Sequence, residues 1–236
     1  MDVAITAMDN VIAWNRRGGD FIIIGQIEQT TPLTLWGGPS VREISEVAGA
    51  RLAVDAADSG FAIALRALLK RHRIPDQHCS WLPLGGVKQR SEALLAGRCD
   101  ATLLGPPFDD LVLRAGCHAL TDLQESWQQF PGQGIVARKT TIQDHAAALR
   151  KYLEIIGASL SWANEHKERA MNVLVEAQLP PTAAQAMLRT AARDLRPSPA
   201  GIDLLIQMRS ELNLLDGPAP NYASLVDQSL LPRKLA

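Results

Sequence analysis

The clearest pattern of apolar and polar positions lies in Leu52 to Leu69, LAVDAADSGFAIALRALL. Leu52, Ala53 and Val54 form a short apolar run that stops at Asp55, and Ala56 to Gly60 is small and polar. Phe61, Ala62, Leu65, Leu68 and Leu69 then recur at helical spacing, so the stretch predicts strand, turn and amphipathic helix. Lys70, Arg71 and Arg73 follow, placing positive charge where the helix dipole favours it. Such a turn offers backbone N–H groups to an anion or polar group. Taken alone, however, the pattern favours a helix capped by its own Asp58 or Ser59 with no ligand.

The alternation continues on both sides. Asp2 to Thr6 reads as a buried strand, Met8 to Trp14 as a helix capped by Asp9 or Asn10, and Phe21 to Gly25 as a strand. Thr31 to Trp36 is strand-like and is stopped by Gly37-Gly38-Pro39; Val41 to Val47 predicts a short polar helix. Beyond the central stretch come a strand at Ser80 to Leu84, a helix at Val87 to Leu95, a strand at Ala101 to Leu104 and a helix at Phe108 to Arg114. Gln124 to Gln133 is polar and reads as a connection, and Gly134 to Arg138 as a strand. Helices are then expected at His145 to Ala163, Lys167 to Gln178, Pro181 to Arg193 and Ile202 to Leu212, with a last helical signal at Tyr222 to Leu230. Strands separated by helices predict an α/β fold with parallel pairing. Ligands in such sheets bind beyond the strands' carboxyl ends, which selects Asp55 to Phe61, Gly85-Gly86 and Gly105 to Pro107.

Composition narrows the function classes. The 236 residues are 47% hydrophobic, enough for one sizeable core or two small lobes, with a formal net charge of −1. No basic stripe or aromatic platform stands out, so nucleic acid is not an expected partner. Cys79, Cys99 and Cys117 lack metal-type spacing, and neither a metal nor a cofactor is expected. No Gly-x-Ser-x-Gly elbow, HExxH, Walker or complete GxGxxG pattern occurs. Asp55 and Asp58 are better read as turn acids than as an acid/base pair. Trp14, Trp36 and Trp81 read as core residues.

Several stretches in order resemble the periplasmic solute-binding proteins of ABC importers. The similar branch is that of the nitrate, taurine and aliphatic-sulfonate binders and the related thiamine-pyrimidine-precursor group. The stretches are DVAITAMDNVIAW (Asp2 to Trp14), TLWGG (Thr34 to Gly38), VAGARLAVDAADSGFAIALRALL (Val47 to Leu69), WLPLGGVKQRSEALLAGRCDATLLGPP (Trp81 to Pro107) and GQGIVARK (Gly132 to Lys139). The resemblance covers roughly residues 2 to 190.

What it implies is a type 2 periplasmic-binding-protein-like fold of two hinged lobes, residues 1–36 plus 134–236 and residues 37–133. The first lobe would lack the family's N-terminal strand, helix and strand, a truncation that would favour self-association. A small polar or anionic organic solute would bind between the lobes for import, with an ABC-transporter membrane permease as partner and a periplasmic location. No signal peptide precedes the strand-like run after Met1, and no apolar run is long enough to span a membrane. The resemblance places Thr6, Asp9, Asn10, Gln26 and Glu28 at the site from the first lobe, and Asp58, Ser59, Gly60, Phe61, Gly86, Arg90 and Pro107 from the second. It assigns no catalytic residue. The alternatives are an enzyme on the same fold, similar to menaquinone-pathway members or thiamine-pyrimidine synthases, and a cytoplasmic ligand sensor domain.

Overall fold

A computed structural model describes residues 2–215 and 217–231. The elements run β1 (Val3–Ala7), α1 (Asn10–Arg16), β2 (Phe21–Gln26), β3 (Thr34–Gly37), β4 (Arg51–Val54), α2 (Gly60–Arg71), β5 (Ser80–Pro83), α3 (Val87–Leu95), β6 (Ala101–Leu104) and α4 (Phe108–Arg114). There follow β7 (His118–Asp122), α5 (Leu123–Ser126), β8 (Gln133–Arg138), α6 (Lys139–Glu165), α7 (Lys167–Glu176), α8 (Pro181–Thr190), α9 (Pro199–Glu211) and α10 (Tyr222–Leu225). Contacts divide the chain into two compact units, one of Met1–Thr31, Gln129–Gln207 and Leu215–Ala236, the other of Pro32–Gln128 and Met208–Leu214.

The first unit holds a three-stranded sheet in the order β1-β8-β2, with both pairings antiparallel. β2 is buried along its whole length because FIIIG offers apolar side chains to both faces. Ile22, Ile24, Ile135 and Ala137 from β2 and β8 pack with Leu149 and Leu153 of α6 and with Leu195, Leu230 and Leu231. The free side of β2 is covered by the C-terminal segment: Val226 bridges Ile23, and the Asp227 N–H donates to the Ile23 carbonyl at 2.9 Å. β1 differs from the expected buried strand. It sits at the sheet's edge, with Val3 36% and Ile5 49% exposed.

The second unit holds a five-stranded sheet in the order β5-β4-β6-β3-β7. β4 runs parallel to both β5 and β6, as the intervening helices require, whereas β3 lies antiparallel between β6 and β7. The expectation of parallel pairing therefore holds only for the strands joined through α2 and α3. α2 buries Ala62, Ile63, Leu65, Leu68 and Leu69, the residues whose spacing announced it. Trp36, Ala53, Leu94, Leu104 and Val112 form the core on the α3–α4 side, so Trp36 serves the fold.

Several boundaries move for physical reasons. Thr34 to Gly37 is hydrogen-bonded between β6 and β7, which puts it in the second unit and not at the end of the first. Met208–Leu214 also belongs to the second unit, so the terminal helices do not all stay with the first. Val41 to Val47 contracts to a 3-10 turn at Ile44–Val47, closed by the Glu46 carboxylate accepting from the Arg42 and Glu43 N–H groups. α6 starts at Lys139 and kinks at His145, the residue where a helix was expected to begin. α8 stops at Thr190, since Ala191 leaves the helix to bridge Glu28. The final helical signal contracts to α10, capped by Asn221, and Asp216 and residues 232–236 lie outside the described residues.

Candidate functional site

Parallel β4, β5 and β6 end on the same side of the second unit's sheet, so their three following loops share one edge. These are residues 55–59 leading into α2, 84–86 leading into α3, and 105–107 leading into α4. Each helix presents its amino end to that edge, where first-turn amides and the helix dipole favour negative charge.

The first loop is set by a relay of hydrogen bonds. Ser59 caps α2, its hydroxyl oxygen accepting from the Ala62 N–H at 3.1 Å while its proton goes to the Asp55 carboxylate. That arrangement changes the role expected for Ser59. A hydroxyl has one proton, and here it is committed to Asp55, leaving no proton to donate to an anion. Donors for an anion must therefore be backbone N–H groups of the turn and first helical residues, among them Phe61. Ser59 to alanine is expected to destabilise the chain by about 0.5–2 kcal/mol through loss of the cap, measured by chemical denaturation. Asp58 is held from a distance: the buried Arg209, 3% exposed and carried by α9, donates to its carbonyl at 3.1 Å. No local signal announces Arg209, because it acts 151 residues away along the chain.

In the second loop Gly85 has a φ of +91°, a left-handed conformation suited to glycine, and Gly86 is the N-cap of α3. In the third loop a Cβ on Gly105 would lie 2.3 Å from the Pro32 carbonyl oxygen, so only glycine fits between β6 and α4. Pro106-Pro107 is a cis peptide, and Pro107 is the residue before α4. Thr34 and Asp122 reach the same edge through their pairing opposite Leu104, and the Thr34 hydroxyl donates to Asp122 at 3.2 Å. The sequence reading missed both because β7, HALTD, is too polar and too short to announce itself as a strand.

Arg90 sits below the edge. It is 2% exposed, and its guanidinium donates to the Leu103 carbonyl at 2.6 Å and to the Thr102 hydroxyl at 3.1 Å. Thr102 passes the connection on to the Ala53 carbonyl at 2.8 Å, so Arg90 ties α3 to β6 and β4. Burial pulls its pKa down and the Asp55 charge opposes that, while Nε has no hydrogen-bond partner among the described residues. These contacts give Arg90 a bracing position in place of the solute contact expected of it.

The first unit gathers Thr6, Asp9 and Asn10 at the turn from β1 into α1, where the Asn10 amide donates to the Thr6 hydroxyl at 2.8 Å and Asp9 is buried. Gln26, 3% exposed, is committed internally: its amide donates to the Glu28 carbonyl at 2.6 Å and accepts from the Ser198 N–H at 2.8 Å. It braces the end of β2 and offers no open face to a solute. Glu28 accepts from the Thr31 hydroxyl at 3.1 Å and the Gln133 N–H at 3.2 Å.

Burial holds the Glu28 carboxyl above the usual carboxylate range, with the hydrogen bonds from Gln133 and Thr31 pulling the other way. Ionisation is then harder folded than unfolded, so this group subtracts stability as pH rises from the ordinary carboxylate pKa through the raised folded one. Glu28→Gln should match or exceed the parent's melting temperature at neutral pH, and the difference should vanish in acid. Melts across about pH 4 to 8 check this. A variant weaker at neutral pH would show that the carboxylate's hydrogen bonds outweigh its desolvation.

Among the described residues, no group of three or more His, Cys, Asp or Glu side chains could hold a metal. The three cysteines are buried free thiols, and burial pushes Cys99 up to about 11.

Comparison with solved structures finds the same fold at low identity. The ligand-binding component of an ABC-type import system from Staphylococcus aureus, determined with zinc bound, superposes with a TM-score of 0.79 at 16% identity, over 98% of this chain and 79% of that one. The alkanesulfonate-binding protein SsuA of Xanthomonas axonopodis pv. citri, bound to MOPS, gives 0.72 at 18%, over 99% and 77%. A Candida albicans protein with the generic periplasmic-binding-protein fold gives 0.77 at 13%, over 99% and 81%. Comparison with curated proteins gives no match. Among the described residues, no helix is long and apolar enough to cross a membrane. A family model described as NMT1/THI5 like matches residues 1–170, and with this fold and that match the chain belongs to the NMT1/THI5-like family.

Proposed function

We propose that the chain is the solute-binding component of an ABC importer, taking a small polar or anionic organic solute, of the sulfonate kind, without chemistry. The observation that carries the reading is the shared edge where the loops after β4, β5 and β6 bring three helix amino ends together. Family membership and the import-component neighbours support it. Asp58, Gly60, Phe61, Gly86 and Pro107 are the proposed contacts in the second unit, with Ser59 ordering the loop and Arg90 bracing it from below. Thr6, Asp9, Asn10 and Glu28 are the proposed contacts from the first unit. A membrane permease, an extracytoplasmic location and self-association through the first unit belong to the same reading.

The family also contains a biosynthetic member, so turnover has to be tested directly. Thermal-shift screening against aliphatic sulfonates, taurine, nitrate, aminopyrimidines and amino acids is the first experiment, since a ligand bound only to the native state raises its apparent stability. The expected result is stabilisation by a sulfonate or similar anion that is recovered unchanged after incubation. Conversion of the stabilising compound, or no stabilisation by any of them, would overturn the reading.

A further inference from the structure

α2 runs from the loop that Ser59 caps to a basic stretch, Lys70, Arg71, His72 and Arg73. Its twelve residues make it about 18 Å long, so its two ends have separate surroundings. Arg66 and Lys70 lie four apart on one face of α2, and Arg73 follows just past its end. All three border a cavity of about 410 Å³, with Pro75 and Asp76 on one side and Leu212, after α9, on another. Every residue of this lining belongs to the second unit.

The three cations are not equivalent. Arg66 lies over the Trp81 ring at 4.2 Å and pairs with Asp76, whose carbonyl accepts from the Trp81 indole at 3.2 Å. Lys70 donates to the Glu211 carbonyl. The Arg73 guanidinium has no hydrogen bond, ion pair or ring contact among the described residues. Its backbone is costly too: φ is +60°, the left-handed position past a helix end that glycine normally fills. The Arg73 and Ile74 N–H groups there close α2 onto the Lys70 and Leu69 carbonyls at 3.0 and 2.9 Å. The helix dipole does not account for an arginine at this position, because Lys70 and Arg71 already supply positive charge in the last turn without strain. Strain of this kind is kept where the side chain has work to do.

We propose that this cavity binds a small organic phosphate, its head group against Arg73 and Lys70 and its apolar body between Pro75 and Leu212. The guanidinium fork offers paired donors to phosphate oxygens, and the Lys70 ammonium keeps donors beyond the one given to Glu211. Arg66 and Asp76 balance each other and form a fixed wall. Lys70 and Arg73 then outweigh Glu211 by one positive charge, which sets the preference for an anion. Two cations beside one head group suit a dianion better than a single carboxylate. The site is separate from the loops after β4, β5 and β6 and does not depend on which solute binds there.

Titration of the isotope-labelled chain with phenyl phosphate, followed by amide chemical shifts, tests it. The expected result is saturable change at Arg73, Ile74, Asp76, Gln77, Leu212 and Asn213, at lower concentration than with inorganic phosphate, which lacks the apolar body. Arg73→Gly should weaken binding by about 10-fold or more through loss of the charged donors. The same variant should melt at or above the parent's temperature, since glycine takes the left-handed conformation without strain. Lys70→Gln should weaken binding in the same direction and gives a second readout. No saturable change at these amides, equal affinity for inorganic phosphate, full binding by Arg73→Gly, or a lower melting temperature in that variant would each overturn the proposal. The solute found by thermal screening should stabilise Arg73→Gly as it does the parent, which separates failure here from failure of the solute-binding reading.

Discussion

Replacing Arg90 with alanine should lower the free energy of unfolding by about 3–5 kcal/mol, the largest effect expected of any single change at the site edge. Two losses combine. The long side chain is 2% exposed, so truncation leaves a cavity between α3 and β6. The Leu103 carbonyl and the Thr102 hydroxyl also lose a charged donor. Arg90→Met separates the two, since it keeps most of the volume and removes only the donors; it should cost about 1–3 kcal/mol. Chemical denaturation of both variants is the measurement. If Arg90 were instead a direct solute ligand, alanine would weaken binding sharply with little change in stability, and that outcome would return it to the solute contacts.

Gly105→Ala should cost about 3 kcal/mol, toward the upper end of what overpacking does. The added methyl would meet the Pro32 carbonyl oxygen at 2.3 Å, and a backbone atom in a connecting segment cannot swing aside as a side chain would. Relief requires the loop at 105–107 to separate from Pro32, which displaces the start of α4 at the site edge. Stability and solute affinity should therefore fall together, whereas Arg90→Met should affect stability first. The contrast is measurable by denaturation and calorimetric titration of the same two proteins. Unchanged stability in Gly105→Ala would show that the segment around Pro32 is free to move.

The parts of this fold that were legible in the sequence are those whose signal is local. α3, β6 and α4 lie where glycine and proline punctuation placed them, and α2 buries the residues whose spacing announced it. β7 was not legible, because His118 to Asp122 is only partly covered and mixes polar with apolar positions on both faces. The strand direction of β3 was not legible either, since nothing in TLWG says that its neighbours run the opposite way. At the site, the loops were found from strand ends and small residues, but the direction of each hydrogen bond was not. Ser59 was placed among the solute contacts, but its hydroxyl donates to the Asp55 carboxylate. Arg90 looked like a cleft residue until β6 was seen to cover it, and Arg209 could not be connected with Asp58 by any rule of spacing.

The proposed solute binds where β4, β5 and β6 end. Amide chemical shifts recorded while titrating the isotope-labelled chain with the sulfonate that stabilises it test this residue by residue. The largest changes are expected on Asp58 to Phe61, Gly85 to Val87 and Gly105 to Phe108, excepting the prolines, saturating with the thermal stabilisation. Changes confined to the cavity beside Lys70 and Arg73, with the three loops unmoved, would contradict it.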